Sequence, residues 1–459
     1  MNRNDLLNRL KMTLRAGDVH AFALAVLNTP HADLADALAD EPIRDVMNML
    51  MALPQTQRAG LFSYLPQEQQ DALIGIMPKD TVVRLFEHLP SDDRADIFNR
   101  LSHAAQNQLL PAMAKVERED LLKMASYPDG SVGAVTSSDY AVVSPDSTAA
   151  QALAYLRTHA PAKETIYVVY VQDAQKRLLG TLSLRELVLA APEQNIADLM
   201  RPDPIYARAE WPAEQAAALI RRYDLLAVPV INGGQRMIGI VTVDDAMDIE
   251  KEQDATSLSR FGGSATLEGD DLDLRESSFG KIVKTRLFWL VILTFFGVIT
   301  STYVSHQEDI LSEVLVLAAF IAPIVDMGGN TGSQSATLVI RSMALGELTL
   351  RWKDIWFVIK RELPVALTMG VVICLLEAVL AYFSKGVGIE VLATVGLSML
   401  ACTVIGGVVG AMLPFLARRI GTDPATLSSP LITSVMDLVG VFIYFGFAYL
   451  FLGDLLVAN

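Results

Sequence analysis

Cysteine is almost missing from the 459-residue chain: Cys374 and Cys402 are the whole supply, and both lie in hydrophobic segments. No disulfide framework is therefore implied. No nucleophile–base pair and no cofactor loop stands out, which weighs against an enzyme, and no phosphate-binding loop argues for a pump. The opening MNRNDLLNRLKMTLRAGDVH lacks an apolar signal region, so the charged first part is expected to stay in the cytoplasm. Positive charge is short, with 37 Lys and Arg against 52 Asp and Glu and a formal net charge of −15. That balance argues against nucleic acid as a partner. It suits a surface that collects cations, and equally an ordinary acidic exterior.

What is present divides into two unlike parts, averaged in a hydrophobic content of 52% and a mean hydropathy of +0.35. The expected fold class is a multi-domain membrane protein: an α-helical repeat N-domain (1–130), two α/β domains (131–196 and 197–252), a connecting helix (253–286) and a five-helix transmembrane domain (287–459). Leu53-Pro54, Leu65-Pro66, Met77-Pro78 and Leu89-Pro90 recur every twelve residues, with Leu101-Ser102 next, so each unit reads as a short helix and a turn. Asp92, Asp93 and Asp96 in this array read as a solvated face. A second repeat relates residues 166–187 to 225–246, and Gly180 to Gly239 at an offset of 59. Each copy predicts strand, glycine turn, strand and helix, after helical stretches at 148–160 and 212–224. Residues 246–286 read as a long helical connector.

Hydrophobic runs at 287–304, 314–345, 363–383, 391–417 and 431–452 suit spans of a bilayer core about 30 Å thick. The 305–313 loop is acidic. Arg341, Arg351, Lys353, Lys360, Arg361 and the Arg418-Arg419 pair crowd the opposite side. The positive-inside rule then puts the N-terminal part in the cytoplasm and the C-terminus outside.

The second run is unlike a lipid-facing helix, since it holds Pro323, Asp326, Gly328, Gly329, Asn330, Gly332 and Gln334. It is expected to be interrupted there and to line a polar permeation path rather than a glycine packing seam. In the fifth run Thr433, Ser434, Asp437 and Gly440 share one helical face. No basic residue lies in the middle thirds of the five runs, so Asp437 suits a cation better than a salt bridge. Gly406-xxx-Gly410 in the fourth reads as close helix packing, and Glu377 in the third is an unexplained acid.

The 135–250 repeat, above all GIVTVDD at 239–245, resembles a tandem pair of CBS domains. That resemblance implies that Thr242 and Asp245 hold a nucleotide ribose, with ATP as a possible ligand. MGGNTGSQSATL (327–338), GAMLPFLARRIGTDPATLSSP (410–430) and DLVG (437–440), in this order of parts, resemble the MgtE family of magnesium channels or transporters. The resemblance implies a homodimer in the lipid bilayer of a bacterial plasma membrane, with a pore between subunits lined by the second and fifth spans. It makes Mg²⁺ both substrate and regulator. Asp437 becomes the ion-site acid, with Asn330 and the backbone of Gly328 and Gly329 beside it, and Thr433 and Ser434 on the same line. Glu214, Asp224, Asp245 and Asp248 fall on sensor positions. Where the family commonly has acids in the connecting helix, this chain has Gln253, Thr256 and Ser257. Sensing there is expected to be weaker, displaced to Glu250, Glu252 and Asp254, or tied to another signal. Asp326 departs from the family's small or apolar residue and is a candidate second cation site. The reading is a Mg²⁺ channel or facilitator. Its rivals are a broader divalent or ion-coupled carrier (Co²⁺, Mn²⁺) and a non-conducting membrane-anchored nucleotide or metal sensor.

Overall fold

The structure is a computed structural model that describes residues 6, 8, 10–13, 16, 18–160, 163–264, 272, 277–426 and 429–453. It divides into two compact units, Met1–Lys251 and Glu252–Asn459.

The first unit opens with an array of short helices whose start positions keep the twelve-residue period further than the sequence reading took it. Asp18, Pro30, Pro42, Pro54, Pro66, Pro78, Pro90, Ser102 and Ala114 each stand just before a helix. Proline costs nothing there, because its missing N–H has no intrahelical partner to lose and its fixed φ suits the first turn. The carbonyls of the six prolines each accept the first helical bond, as from Arg58 N to Pro54 O at 2.9 Å.

A second element of the repeat lies four residues after three of these starts. Arg58 Nε donates to Leu50 O (2.9 Å), Gln70 Nε2 to Phe62 O (3.1 Å) and Gln106 Nε2 to Phe98 O (2.8 Å). Each side chain thereby satisfies the open carbonyls at the end of the preceding helix. Arg94 occupies the equivalent place and breaks the rule: its guanidinium turns to Asp139 at 3.5 Å and Asp120 at 4.0 Å. Leu34, Leu50, Phe62, Leu73, Phe86 and their neighbours form the core of the array.

Two small sheets follow. The first has the order β1 (Tyr140–Val143), β2 (Thr165–Gln172), β3 (Leu178–Ser183), β4 (Arg201–Pro202), with β1 parallel to β2 and the others antiparallel. The second is β5 (Ala207–Arg208), β6 (Ala227–Ile231), β7 (Met237–Thr242), parallel then antiparallel. The internal repeat is exact in register: Gly180 pairs with Val171, and Gly239 with Val230. Helices Ala149–His159 and Ala213–Tyr223 cover the sheets as expected. Gly239 has no room for a side chain, since a Cβ there would strike the Ser137 carbonyl, whose backbone pairs with Ile240.

The connector differs from expectation. One helix runs from Val243 to Phe261, and it ends where Gly263 takes a left-handed φ of 68°. Ser264 Oγ then donates back to Ser259 O at 3.0 Å, which closes the turn. A helix continuous to residue 286 is thus excluded by Gly262-Gly263. Residues 265–271 and 273–276 of the expected connector lie outside the described residues.

Among the described residues of the second unit, five helices are long and apolar enough to cross a membrane: Phe279–Ser305, Leu315–Ala344, Trp352–Lys385, Ile389–Arg419 and Ser429–Leu452. The third extends well before its hydrophobic run. Arg351 precedes it, and Lys353, Lys360 and Arg361 occupy its first turns rather than a loop. The second, fourth and fifth spans form the packed centre, around Phe320, Ile324, Met399, Cys402, Tyr444 and Phe445. The first and third keep most of their apolar side chains on the outside.

Candidate functional site

The second span is not interrupted where the sequence predicts a break. Leu315–Phe320 forms a 3₁₀ turn, held by Tyr444 Oη donating to Leu317 O at 2.8 Å, and Ile321–Ala344 is one α-helix through all its glycines. The glycines serve contact instead. Cβ atoms at Gly406 and Gly410 of the fourth span would run into the backbone of Gly328 and Gly332. Two small-xxx-small rows therefore face each other, backbone against backbone. The packing seam, the reading set aside in the sequence, is real.

The same glycines bring the fifth span close, running antiparallel. A Cβ at Gly329 would lie 2.8 Å from Thr433, one at Gly332 3.0 Å from Ile432, and one at Gly440 3.2 Å from Val325. Ser429 Oγ donates to Ser333 Oγ at 2.9 Å toward one end of this contact. Gly328 and Gly329 are buried, Thr433, Ser434 and Asp437 half-buried. So the polar face expected on the fifth span does adjoin the second.

The other face of the second span carries the polar groups. Asp326, Asn330, Gln334 and Thr337, three or four residues apart, are all exposed in the single chain. Asn330 Nδ2 donates to Asp326 Oδ2 at 2.8 Å. Asp326 and Asp437 are near enough to act on each other electrostatically. Among the described residues, Asp437 has no hydrogen bond and no ion pair. Glu377 is half-buried on the third span.

Sequence reasoning missed Glu362. It follows Lys360 and Arg361 and so looks like the end of a charged loop, yet it sits inside the third helix. Its carboxylate accepts a hydrogen bond from Ser335 of the second span, and Gly407 of the fourth leaves space beside it. A half-buried carboxylate hydrogen-bonded to a neighbouring span is a tie between helices.

In the first unit the predicted regulatory acids do not form one set. Glu214 and Asp224 are exposed near opposite ends of the helix Ala213–Tyr223, about 15 Å apart at 1.5 Å per residue. They cannot share an ion within one chain. Glu250 is paired with Arg221 at 2.7 Å, and Asp248 and Glu252 are exposed. Asp245 is different: half-buried, it accepts from Thr242 Oγ1 at 2.6 Å and from Thr242 N at 3.3 Å. Desolvation pushes its carboxyl up despite the Thr242 hydrogen bond, and Asp244 and Asp248 add to the rise.

Around Asp245 stand the acids read as a solvated face. Asp92 is pushed well above the carboxylate range by desolvation and by Asp245, Asp93 and Glu164. Desolvation, reinforced by Asp245 among other acids, takes Asp93 and Asp96 to about 6 and Glu164 to about 7. Asp92 Oδ1 is buried without a hydrogen-bond partner. The expectation of a solvated face fails for Asp92 and Asp93, both half-buried, because their helix meets the β-sheet domains. Ser91 Oγ, one residue before Asp92, accepts from Ser138 N at 2.6 Å. No spacing rule could join Asp93 to Asp245 across so many residues. Within the described residues no group of acids, His or Cys is arranged as a finished metal site.

A five-span membrane unit with a glycine-tight centre and an open polar stripe, covalently continued from a unit with paired repeat sheets and crowded acids, defines a multi-pass membrane protein of the cation-transporting class. Comparison with known proteins agrees. Residues 321–447 match the MgtE family model, described as a divalent cation transporter; residues 29–130 match the MgtE intracellular N domain, and 132–193 and 196–252 match CBS domains. The magnesium transporter MgtE of Thermus thermophilus is 35% identical over 336 residues, 73% of each chain. That of Bacillus subtilis is 33% identical over 349 residues, 75% of each. A crystal structure of the cytosolic domain of the Mg²⁺ channel MgtE in complex with ATP is similar at 30% identity and a TM-score of 0.50, covering 53% of this chain and 99% of that one. The chain belongs to the MgtE family.

Proposed function

We propose that the chain carries Mg²⁺ across a membrane, through a path that two copies complete between them. The observation that carries this is the stripe Asp326–Asn330–Gln334–Thr337, exposed on a spanning helix of the single chain. Lipid cannot face it, because unsatisfied polar groups and a carboxylate in hydrocarbon are costly. A second copy related by a twofold axis covers it and leaves a polar channel. Two Asp437 carboxylates then face one another and repel unless a divalent cation stands between them. Asn330, Thr433 and Ser434 supply further oxygens along the path, with Asp326 an additional acid; the Gly328 carbonyl, packed against Gly406, and buried Gly329 do not.

Mg²⁺ dehydrates reluctantly and keeps several waters, so the carboxylates grip it through its hydration shell. Inward flow needs no nucleotide hydrolysis. A membrane potential supplies about 2.3 kcal/mol per charge per 100 mV. For a divalent ion that is roughly 4.6 kcal/mol, enough for about three powers of ten in concentration.

Regulation is assigned to the acids around Asp245. Asp92, Asp93, Asp96 and Glu164 are held close by protein contacts although they repel, so a cation that enters among them stabilises the closed-up arrangement. Glu214, Asp224, Asp248, Glu250 and Glu252 contribute as an outer acidic surface. Cytosolic Mg²⁺ binding there is the proposed closing signal. ATP is the candidate second ligand, at Thr242 and Asp245: the Thr242 hydroxyl donates to Asp245 and keeps lone pairs that can accept from a ribose. The basic residues at one end of the spans support a bacterial inner-membrane orientation with the N-terminus in the cytoplasm and the C-terminus outside.

The test is Mg²⁺ influx into proteoliposomes bearing the purified protein, with Asp437→Ala alongside. Influx abolished by the substitution, with the oligomer unchanged on size exclusion, is expected. Equal influx from the variant would refute the path.

A further inference from the structure

The connecting helix ends on a contact that neither the repeat nor the polar stripe uses. Arg260, in its last turn, donates from Nη1 to Asp423 Oδ2 at 2.5 Å, and both side chains are about three-quarters buried (24% and 25% exposed). Asp423 is itself fixed. Its Oδ1 accepts from Ala425 N at 2.8 Å and its carbonyl from Thr426 N at 2.9 Å, which builds the 3₁₀ turn Pro424–Thr426. That turn leads into the fifth span, which carries Asp437. At the other end of the connecting helix stand Thr242 and Asp245, at the close of β7.

We propose that the Arg260–Asp423 ion pair is the latch through which the connecting helix acts on the fifth span. It rests on the reading of a regulated Mg²⁺ path given above. The pair is a direct one, guanidinium on carboxylate, and needs no bridging ion. Arginine suits the place. A cation is favoured at a helix C-terminus by the backbone dipoles, and guanidinium keeps its charge at every accessible pH. Both flanks are articulated by glycines in the left-handed region, Gly263 at φ 68° after the connecting helix and Gly421 at φ 84° before the loop. Between these pivots, the ion pair transmits a shift of the connecting helix to the turn ahead of the fifth span.

The experiment is a double-mutant cycle on the full-length protein in proteoliposomes, reading the cytosolic Mg²⁺ concentration that halves influx. Arg260→Gln and Asp423→Asn are each expected to shift that concentration by up to about fivefold, the range a partly exposed pair supports. The double variant Arg260→Gln/Asp423→Asn is expected to match either single one, and the charge swap Arg260→Asp/Asp423→Arg to move back toward the original value. Single variants that leave the half-inhibiting concentration unchanged, or that add in the double, would overturn the latch. Asp437→Ala run in parallel separates the two ideas: flux that survives it removes the path itself, whereas flux lost only there and untouched regulation in the cycle removes the latch alone. Size-exclusion profiles of each variant exclude misfolding as the source of a shift, and Arg260→Lys, which keeps the charge, is expected to retain most of the response.

Discussion

Two regions of this molecule bring like charges together, and they do so by opposite means. In the membrane, Asp326 and Asp437 are placed by bare backbone: Gly329 against Thr433, Gly440 against Val325, and the Gly328 and Gly332 row against Gly406 and Gly410. In the first unit, Asp92, Asp93, Asp96, Asp245 and Glu164 are placed by polar side-chain contacts such as Ser91 with Ser138, and with Arg94 withdrawn from the helical repeat to reach Asp139. Backbone packing of the first kind tolerates almost no adjustment. Side-chain contacts of the second kind are weak singly and can rearrange. Few acids in a fixed frame suit a conducting site, while many acids in an adjustable frame suit a sensor.

The largest effect that can break this comparison is expected at the membrane site. Asp437→Asn should reduce Mg²⁺ influx to that of protein-free vesicles while leaving the Mg²⁺ response of the first unit, read by limited proteolysis, intact. Next comes the frame. Gly410→Ala places a Cβ on the Gly332 carbonyl and should cost at least about 1–3 kcal/mol, the usual range for overpacking. Gly446→Ala, with open space around it, should change the thermal midpoint in detergent little. Equal midpoints for the two variants would break the claim that backbone contact sets the site.

The acid cluster should respond to pH. Because Asp93 and Asp96 lie at about 6 and Glu164 at about 7, all above their ordinary range, the folded state holds protons that the unfolded chain has lost. Their protonation stabilises fully below about pH 4, and the gain is lost as pH rises through about 6 to 7. Without divalent ions, the unit should therefore melt lower at about pH 8 than at about pH 5, as far as these groups decide it. Added Mg²⁺ should recover stability at the higher pH, and Asp93→Asn should shrink both effects. A smaller change is expected for Asp326→Asn, which removes a like charge near Asp437: influx persists, with a several-fold higher Mg²⁺ concentration at half-maximum. The smallest touches neither set of acids. Ser102→Ala removes a side chain that accepts from Ala105 N and should cost about 1 kcal/mol in a melt.

Much of the architecture was legible because it is periodic. Prolines twelve apart, strands repeated at an offset of 59 and apolar runs of spanning length all report local rules. The five spans, the paired sheets and the Asp437 face follow from them. What failed to show in the sequence was partnership. Glycines in the second span read as a break because sequence does not reveal that two other helices lie against them. Asp93 reads as solvated because its neighbour Asp245 is distant along the chain, and Glu362 goes unnoticed beside the two basic residues that precede it. The connector's break, by contrast, is written in Gly262-Gly263, within a long polar run.

The most direct measurement is Mg²⁺ influx into proteoliposomes, with no Na⁺ or pH gradient, as Mg²⁺ on the face of the first unit is raised. It should be made on the unchanged protein, on Asp437→Ala, and on the combined Asp93→Asn/Asp96→Asn/Asp245→Asn variant. The account predicts influx that falls with rising Mg²⁺ in the first, none in the second, and influx that no longer falls in the third. Influx that survives without Asp437, or inhibition that survives without the three acids, would contradict the division of labour between the two regions.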